Sequence, residues 1–367
     1  MNAPLETARP LRIVQVCADR GIAPGATKGA SQHLRGIAAG LVALGHQVVT
    51  VAGRRAEGPF PVPVQPLDHL DGFVADADVV YERSSLGHTD GLDAARRHGA
   101  AFVLEVNAPL VDEAMRHRPD TVDAGHAAAE ARLLAEADLV VVVSDVLAQW
   151  ASARRDGPVV VVRNGFEPAW FAEAARPAET ETLVFLGHPK PWHGADRLLR
   201  LLVDLAAHGH HPHLLVIGGG SGADALRDAA IRSGVGDRVE ITGALAPDAA
   251  SALVSRGAIG LAPYPPQDGF YFCPLKVLDY LAAGVPVVST DQGDVPRLVA
   301  DAGVIVPADD DEALAAAVAG LLDDPDRRAR LGAAGRTRAH ASLTWDHAAE
   351  ATVAAIETML VTGAHRG

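Results

Sequence analysis

Apolar residues in this chain come in short solid runs rather than in strict alternation. In the first half the runs are RIVQVCA (12–18), HQVVTVA (46–52), ADVVYE (77–82), AAFVLEVN (100–107), ADLVVVVS (137–144) and GPVVVVRNG (157–165). Strands that are apolar on both faces belong to parallel sheets covered on both sides. Between the first two runs the apolar spacing becomes helical: Leu34, Ile37, Ala38, Leu41 and Leu44 share one face, and Gly45 closes it. Strand, helix and strand in that order predict right-handed crossovers.

After residue 166 the pattern starts again. ETLVFLG (181–187), PHLLVIGGG (212–220), DRVEITG (237–243), AIGLAPY (258–264), VPVVST (285–290) and AGVIVP (302–307) are short buried strands with helical segments between them. Two such sets predict an α/β chain of two doubly wound Rossmann-like domains. Their expected limits are 1–170 and 171–342, with a linker within 166–182. A last helix at about 343–362 is expected to pack back on the first domain. Ligands of open parallel sheets bind beyond the carboxyl ends of the strands. The loops 21–31, 107–110, 187–194, 218–222 and 270–276 are therefore the candidates, expected to face a central cleft.

Composition narrows the function. The 367 residues are 49% apolar and 21% charged, which suits two soluble domains. The first residues lack a basic segment followed by an apolar one, so no secretory leader is expected. No apolar stretch reaches the eighteen or so residues of a membrane span. Cys17 and Cys273 stand alone, which argues against a disulfide framework or zinc site and fits the cytoplasm. A net charge of −14 opposes nucleic-acid partners and stable membrane attachment. Any phosphate must be held by a few placed groups.

Lysine supplies those groups. The chain has it only at Lys28, Lys190 and Lys276, and each falls in a candidate loop. Flexible ammonium groups gathered in such loops read as phosphate ligands. In GHPKPWHGADRLLRLL (187–202) two prolines stiffen the turn, Gly194 permits close approach, and a helix follows. Free N–H groups at the helix start, with His188, Lys190 and His193, make an anion site. In FYFCPLKVLDYLAAGVPVVST (270–290), Pro274 suits a first helical turn and Lys276 lies at the helix start. Asp279, one turn on, can accept hydrogen bonds from the vicinal hydroxyls of a ribose.

With these residues in view, the chain resembles the retaining glycosyltransferases of GT-B fold in the large GT4 class (group 1). TKGASQHLRGIAAGLVALGHQVVTVA is similar to the family's N-terminal glycine loop, helix and strand, and RNGFEP to its Asn-Gly signature. FLGHPKPWHGADRLL and PLKVLDYLAAGVPVVST resemble its donor-binding loop and helix. YERSSL and LEVNAPLVDEAMRHR are similar to a bacterial branch that carries a Lys-Pro-Trp-His-Gly loop. The resemblance implies a nucleoside-diphosphate sugar (UDP- or GDP-linked) held by Lys28, Gly29, Gly187, Gly194, Tyr271, Phe272, Cys273, Pro274, Leu275 and Lys276, with Asp279 on the ribose. It implies catalytic roles for His188, Lys190, His193 and Asn107, and an acceptor side formed by Glu82, Arg83, Glu105 and Asn107. It implies no metal and no cofactor, because protein cations and helix N-termini neutralise the departing phosphate.

The chain departs from the family where paired glutamates commonly stand, here Tyr271 and Asp279. It also carries His188 and His193 in place of an arginine and a lysine. If His193 acts as a cation, turnover is expected to fall as pH rises through its ordinary pKa, near about 6.5. The acidity of the chain favours a small soluble acceptor, such as a natural-product intermediate, cyclitol or thiol. The lysine-poor composition fits a GC-rich bacterial genome and specialised metabolism. Envelope polysaccharide or lipid glycosylation is the alternative within the class. Outside it stand a nucleotide-sugar epimerase, a non-catalytic nucleotide-sugar binder, and a dinucleotide oxidoreductase suggested by GGGSG at 218–222.

Overall fold

A computed structural model describes residues 9–172 and 181–363. It divides into two compact units, Met1–Arg163 with Trp345–Gly367, and Asn164–Thr344.

The first unit is built on seven strands: β1 (Arg12–Cys17), β2 (Gln47–Ala52), β3 (Val64–Pro66), β4 (Val79–Arg83), β5 (Ala101–Val106), β6 (Leu139–Val142) and β7 (Val159–Val161). Their order is β3-β2-β1-β4-β5-β6-β7, and every pairing is parallel. The valine-rich runs fill the middle of this sheet. β5 is buried along its whole length, as its unbroken apolar pattern requires. Only β3, three residues with no apolar run, escapes the sequence reading.

The second unit has six parallel strands: β8 (Thr182–Leu186), β9 (His213–Ile217), β10 (Val239–Ile241), β11 (Ile259–Ala262), β12 (Val287–Thr290) and β13 (Gly303–Val306), in the order β10-β9-β8-β11-β12-β13. Its core joins Leu183 and Phe185 of β8 to Leu198, Leu202 and Leu205 of the helix Ala195–Ala207, and on the same side to Leu314, Val318 and Leu321. Both sheets change direction of strand order at their first strand, the place where open α/β sheets leave a crevice.

The chain passes to the second unit at Arg163/Asn164, earlier than the 170/171 boundary read from the sequence. Hydrogen bonds explain the shift: Asn164 donates to Cys273, and Phe166 donates from its backbone to Leu343 while pairing with Thr344. The expected linker falls partly on residues 173–180, outside the described residues. The helix Trp345–Thr362 belongs to the first unit and packs along the helix Gly29–Ala43. Gly36 and Gly40, one turn apart, permit this contact, because a β-carbon on Gly36 would fall inside the Trp345 indole and one on Gly40 would meet the Ala349 methyl.

Candidate functional site

The second unit brings three loops together beyond the carboxyl ends of β8, β9 and β11. Gly218, at the end of β9, sits against the carbonyl of Gly187, at the end of β8, so closely that a side chain there would collide with it. Gly220 (φ +90) faces the His188 imidazole, and Gly222 faces the Pro189 carbonyl. Gly218, Gly220 and Gly222 are thus the floor on which the 187–190 turn rests, which gives the run a packing reason that needs no dinucleotide. Gly194 (φ +75) occupies the left-handed region and lies against the carbonyl of Pro263, just past β11. A side chain would be excluded on both counts.

Lys276 is the centre of this arrangement. It stands in the first turn of the helix Leu275–Ala283 and is only 8% exposed. Its Nζ lies 3.9 Å from the centroid of the Phe185 ring and 5.6 Å from that of Tyr264. A β-carbon built on Gly187 would be 4.0 Å from it. Among the described residues this Nζ has no hydrogen-bond partner. Burial alone pushes the ammonium down to about 7. Two ring faces attract a cation but leave its N–H donors unmet.

His193 leans on the same group. Its ring is edge-on to Tyr264, centroids 6.2 Å apart, and its Nδ1 lies 2.9 Å from the His188 carbonyl, to which it donates. Burial first, then the charge of Lys276, lowers its pKa to about 3. The cationic state expected for His193 is thus disfavoured in the free protein, by burial first and by the neighbouring cation second. The pH–rate profile is accordingly expected to lack an inflection near 6.5 that His193→Gln removes. Coincident profiles for the two proteins between pH 5.5 and 8 are the expected result, apart from a constant factor.

The other candidates fall as follows. His188 is exposed, and Lys190 is half-buried with its Nζ 5.8 Å from the exposed Trp192 ring. Tyr271 and Phe272 are half-buried and tilted against each other at 4.3 Å, continuing a line of rings through Phe270 to Tyr264. Cys273 is buried: its Sγ accepts from the Asn164 backbone at 3.3 Å, and its carbonyl accepts from Asn164 Nδ2 at 2.7 Å. Pro274 caps the helix rather than entering it, and Leu275 is its first residue. Asp279 is half-buried on the next turn, with a carboxyl pushed up to about 7 by burial.

Lys28 and Gly29 belong to the first unit, at the start of the helix Gly29–Ala43; Lys28 is exposed and its Nζ reaches the Gly21 carbonyl at 3.4 Å. The four acceptor-side candidates do not share a place. Register and alternation put Arg83 and Glu105 on one face of the sheet and Glu82 on the other. Glu82 is wholly buried against Gly91 and Leu92 at the start of the helix Asp90–His98, and burial pushes its carboxyl up to about 8. Neither Glu82 oxygen has a hydrogen-bond partner among the described residues, and the opposite face of the sheet sets it apart from Arg83 and Glu105. Asn107 stays with Glu105, to whose Oε1 it donates at 3.2 Å.

Three residues of the site were given no role from sequence, although Asn164 lies within the RNGFEP stretch. Asn164 ties the Asn-Gly turn to the segment before Lys276. Tyr264 lies under both Lys276 and His193. Arg197, 3% exposed, binds the Tyr264 carbonyl at 3.1 Å, the Ala308 carbonyl at 2.8 Å and Asp311 Oδ1 at 2.6 Å. The one available signal was an arginine amid the leucines of a helix whose inner face is otherwise apolar.

The two parallel sheets, each with its crevice at the first strand, are the architecture of the GT-B glycosyltransferases. Sucrose-phosphate synthase from Thermosynechococcus elongatus shares it with a TM-score of 0.73 at 17% identity, over 96% of this chain and 100% of that one. Anabaena Alr3699/HepE, solved in complex with UDP and glucose, does so at 0.73 and 16%, over 95% and 100%. Residues 180–324 match the family described as Glycosyl transferases group 1. Phosphatidyl-myo-inositol mannosyltransferase of Mycolicibacterium smegmatis is 32% identical over 208 residues, 54% of this chain and 52% of the relative. D-inositol 3-phosphate glycosyltransferase of Segniliparus rotundus is 31% identical over 254 residues, 64% and 55%. The chain thus aligns with about half the length of these relatives; residues 180–324 are similar to the group 1 glycosyltransferases, and the two parallel-sheet units share the GT-B fold.

Proposed function

We propose that the protein transfers a sugar from a nucleoside-diphosphate sugar to a hydroxyl-bearing acceptor, with retention at the anomeric carbon. One observation carries this: the buried Lys276 ammonium, without a hydrogen-bond partner, beneath the turn that begins at Gly187. A diphosphate lodged on that turn supplies the missing acceptors, and its charge restores the protonated lysine. The loss of the nucleoside diphosphate is the step that needs help. Lys276 and the backbone N–H groups of the loop would neutralise the leaving oxygen, which is electrostatic stabilisation by groups already in place. Lys190 would add a second charge from the same loop and Asp279 would take the ribose hydroxyls. No metal is needed in this scheme. Among the described residues no cluster of three or more histidine, cysteine or carboxylate groups is placed to hold one.

The acceptor is proposed to be a small polyhydroxylated ring of the cyclitol type, in line with relatives named for inositol and inositol phosphate. A lipid-linked form of such a ring is the second reading, favoured by the relative named for a phosphatidyl-myo-inositol acceptor. No helix of the described residues is long and apolar enough to cross a membrane.

Thermal-shift titration against UDP, GDP, dTDP and ADP tests the donor side. A ligand at one hundred times its dissociation constant should add about 2.7 kcal/mol of stability, and excess EDTA should leave the shift unchanged. Absence of any shift with all four nucleotides would overturn the reading. Transfer of label from the nucleotide sugar to free myo-inositol or to phosphatidylinositol vesicles separates the two acceptors.

A further inference from the structure

At the carboxyl end of the first sheet, Gln15 and Cys17 of β1, Tyr81 and Arg83 of β4, and Glu105 of β5 fall on one face. Glu105 is 1% exposed. It pairs with Nε2 of His33, which is buried on the helix Gly29–Ala43 and edge-on to Trp345, centroids 5.3 Å apart. Burial works to raise the Glu105 carboxyl, but His33, Arg83 and Asn107 together hold it below its ordinary range. It is therefore a carboxylate.

That charge decides which way the neighbouring amide faces. A carboxylate only accepts hydrogen bonds, so the Asn107 group turned to it must be the Nδ2 donor. The observed 3.2 Å contact has this sense. Asn107 Oδ1 then remains, and neither it nor Glu105 Oε2 nor Arg83 Nη1 has a hydrogen-bond partner among the described residues. Buried polar atoms left open side by side mark a place where a bound molecule completes the network.

We infer that Glu105, anchored by His33, is a positioning residue that commits the Asn107 nitrogen and offers the Asn107 oxygen to a hydroxyl group of the acceptor. This rests on the sugar-transfer reading, and it assigns Asn107 a sense of hydrogen bonding that the reading alone does not. The groups that face the Glu105–Asn107 pair are His33 from the helix, Arg83 and Tyr81 from β4, and Cys17 from β1.

Exchanging donor and acceptor provides the test. Asn107→Asp sets two carboxylates side by side, so the new acid must be protonated to donate. Its turnover of nucleotide sugar should fall at least tenfold at pH 8 and recover as pH is lowered. Glu105→Gln should also lose at least tenfold, in kcat rather than in donor KM. The double variant Glu105→Gln, Asn107→Asp restores one donor and one acceptor at the contact and should regain activity above either single variant, with a flat pH profile. A double variant no better than the singles, or an Asn107→Asp profile parallel to the wild type, overturns the proposal. A readout independent of turnover is the hydrogen exchange of the Asn107 side-chain amide. It should be slow in the wild type and fast in Glu105→Ala, with nucleotide binding to the second unit as the control for folding. An amide that exchanges at the free rate in the wild type overturns the proposal whatever the activity. If exchange is slow but no nucleotide binds, the sugar-transfer reading fails and the Asn107 geometry stands.

Discussion

Replacing Lys276 by methionine should raise the melting temperature of the protein and remove its activity in the same step. The lysine Nζ is buried between two aromatic rings with no hydrogen-bond partner, and an unmet cation in that setting opposes folding. Methionine keeps most of the volume and contact with Phe185 and drops the charge. Turnover loses the group that faces the leaving diphosphate, a change expected to cost about 10²–10³-fold in kcat by analogy with removal of one preorganised donor. The pH dependence gives a second check. Burial lowers the folded lysine to about 7 from its ordinary 10.5, so between these values the unfolded chain binds more protons. Wild-type stability should rise relative to the variant as pH increases through that window, and the variant's advantage should be largest below pH 7. Thermal melts at pH 6 and pH 9 together with steady-state rates decide the matter. A variant that is less stable at pH 6 and still active would show that the ammonium is satisfied by something in the protein.

Arg197→Ala should have the opposite balance, a large loss of stability and a secondary loss of function. The guanidinium is buried and meets Asp311 Oδ1 at 2.6 Å and the carbonyls of Tyr264 and Ala308. Truncation leaves the Ala308 carbonyl without its arginine donor, the Tyr264 carbonyl with only the Thr290 hydroxyl at 2.8 Å, and Asp311 with only Arg200 at 2.9 Å. Asp311 is partly exposed, so the main cost is the lost donor to buried carbonyls, about 1–3 kcal/mol, or roughly 3–9 °C in a unit of this size. Because the Tyr264 backbone is one of its anchors, nucleotide affinity should fall as well. Lysine at this position would keep the charge but lose the fork that reaches three partners at once. Arg197→Lys is accordingly expected to recover less than half of the lost melting temperature. A melting temperature within 2 °C of the wild type for Arg197→Ala would refute the assigned role.

These two side chains show how differently parts of the site could be read in advance. Lys276 stands out in a chain with three lysines because rarity and position coincide. Arg197 does not, since arginine is the common cation here and its neighbours are leucines on a helix. Tyr264 follows an apolar strand and reads as its tail. Its contacts with Lys276, His193 and Phe270 join residues far apart along the chain. Glu82 and Glu105 looked equivalent as acids near strand ends. Alternation along β4 and the register with β5 put them on opposite faces, one against a helix start and the other in the His33–Asn107 network. His193 was given the charge of an isolated imidazole, and burial first, then the neighbouring ammonium, opposes it.

By itself the sequence determined the two parallel sheets, since solid runs of valine, isoleucine and leucine can be buried on both faces in no other common arrangement. It determined that the crevice loops would be rich in glycine and would hold the scarce lysines. The tertiary structure decided which groups carry charge, which way an amide faces, and where the second unit begins at Asn164. Each of these depends on neighbours brought from distant segments, and the free energy of a proton or a hydrogen bond is set by those neighbours rather than by the residue type.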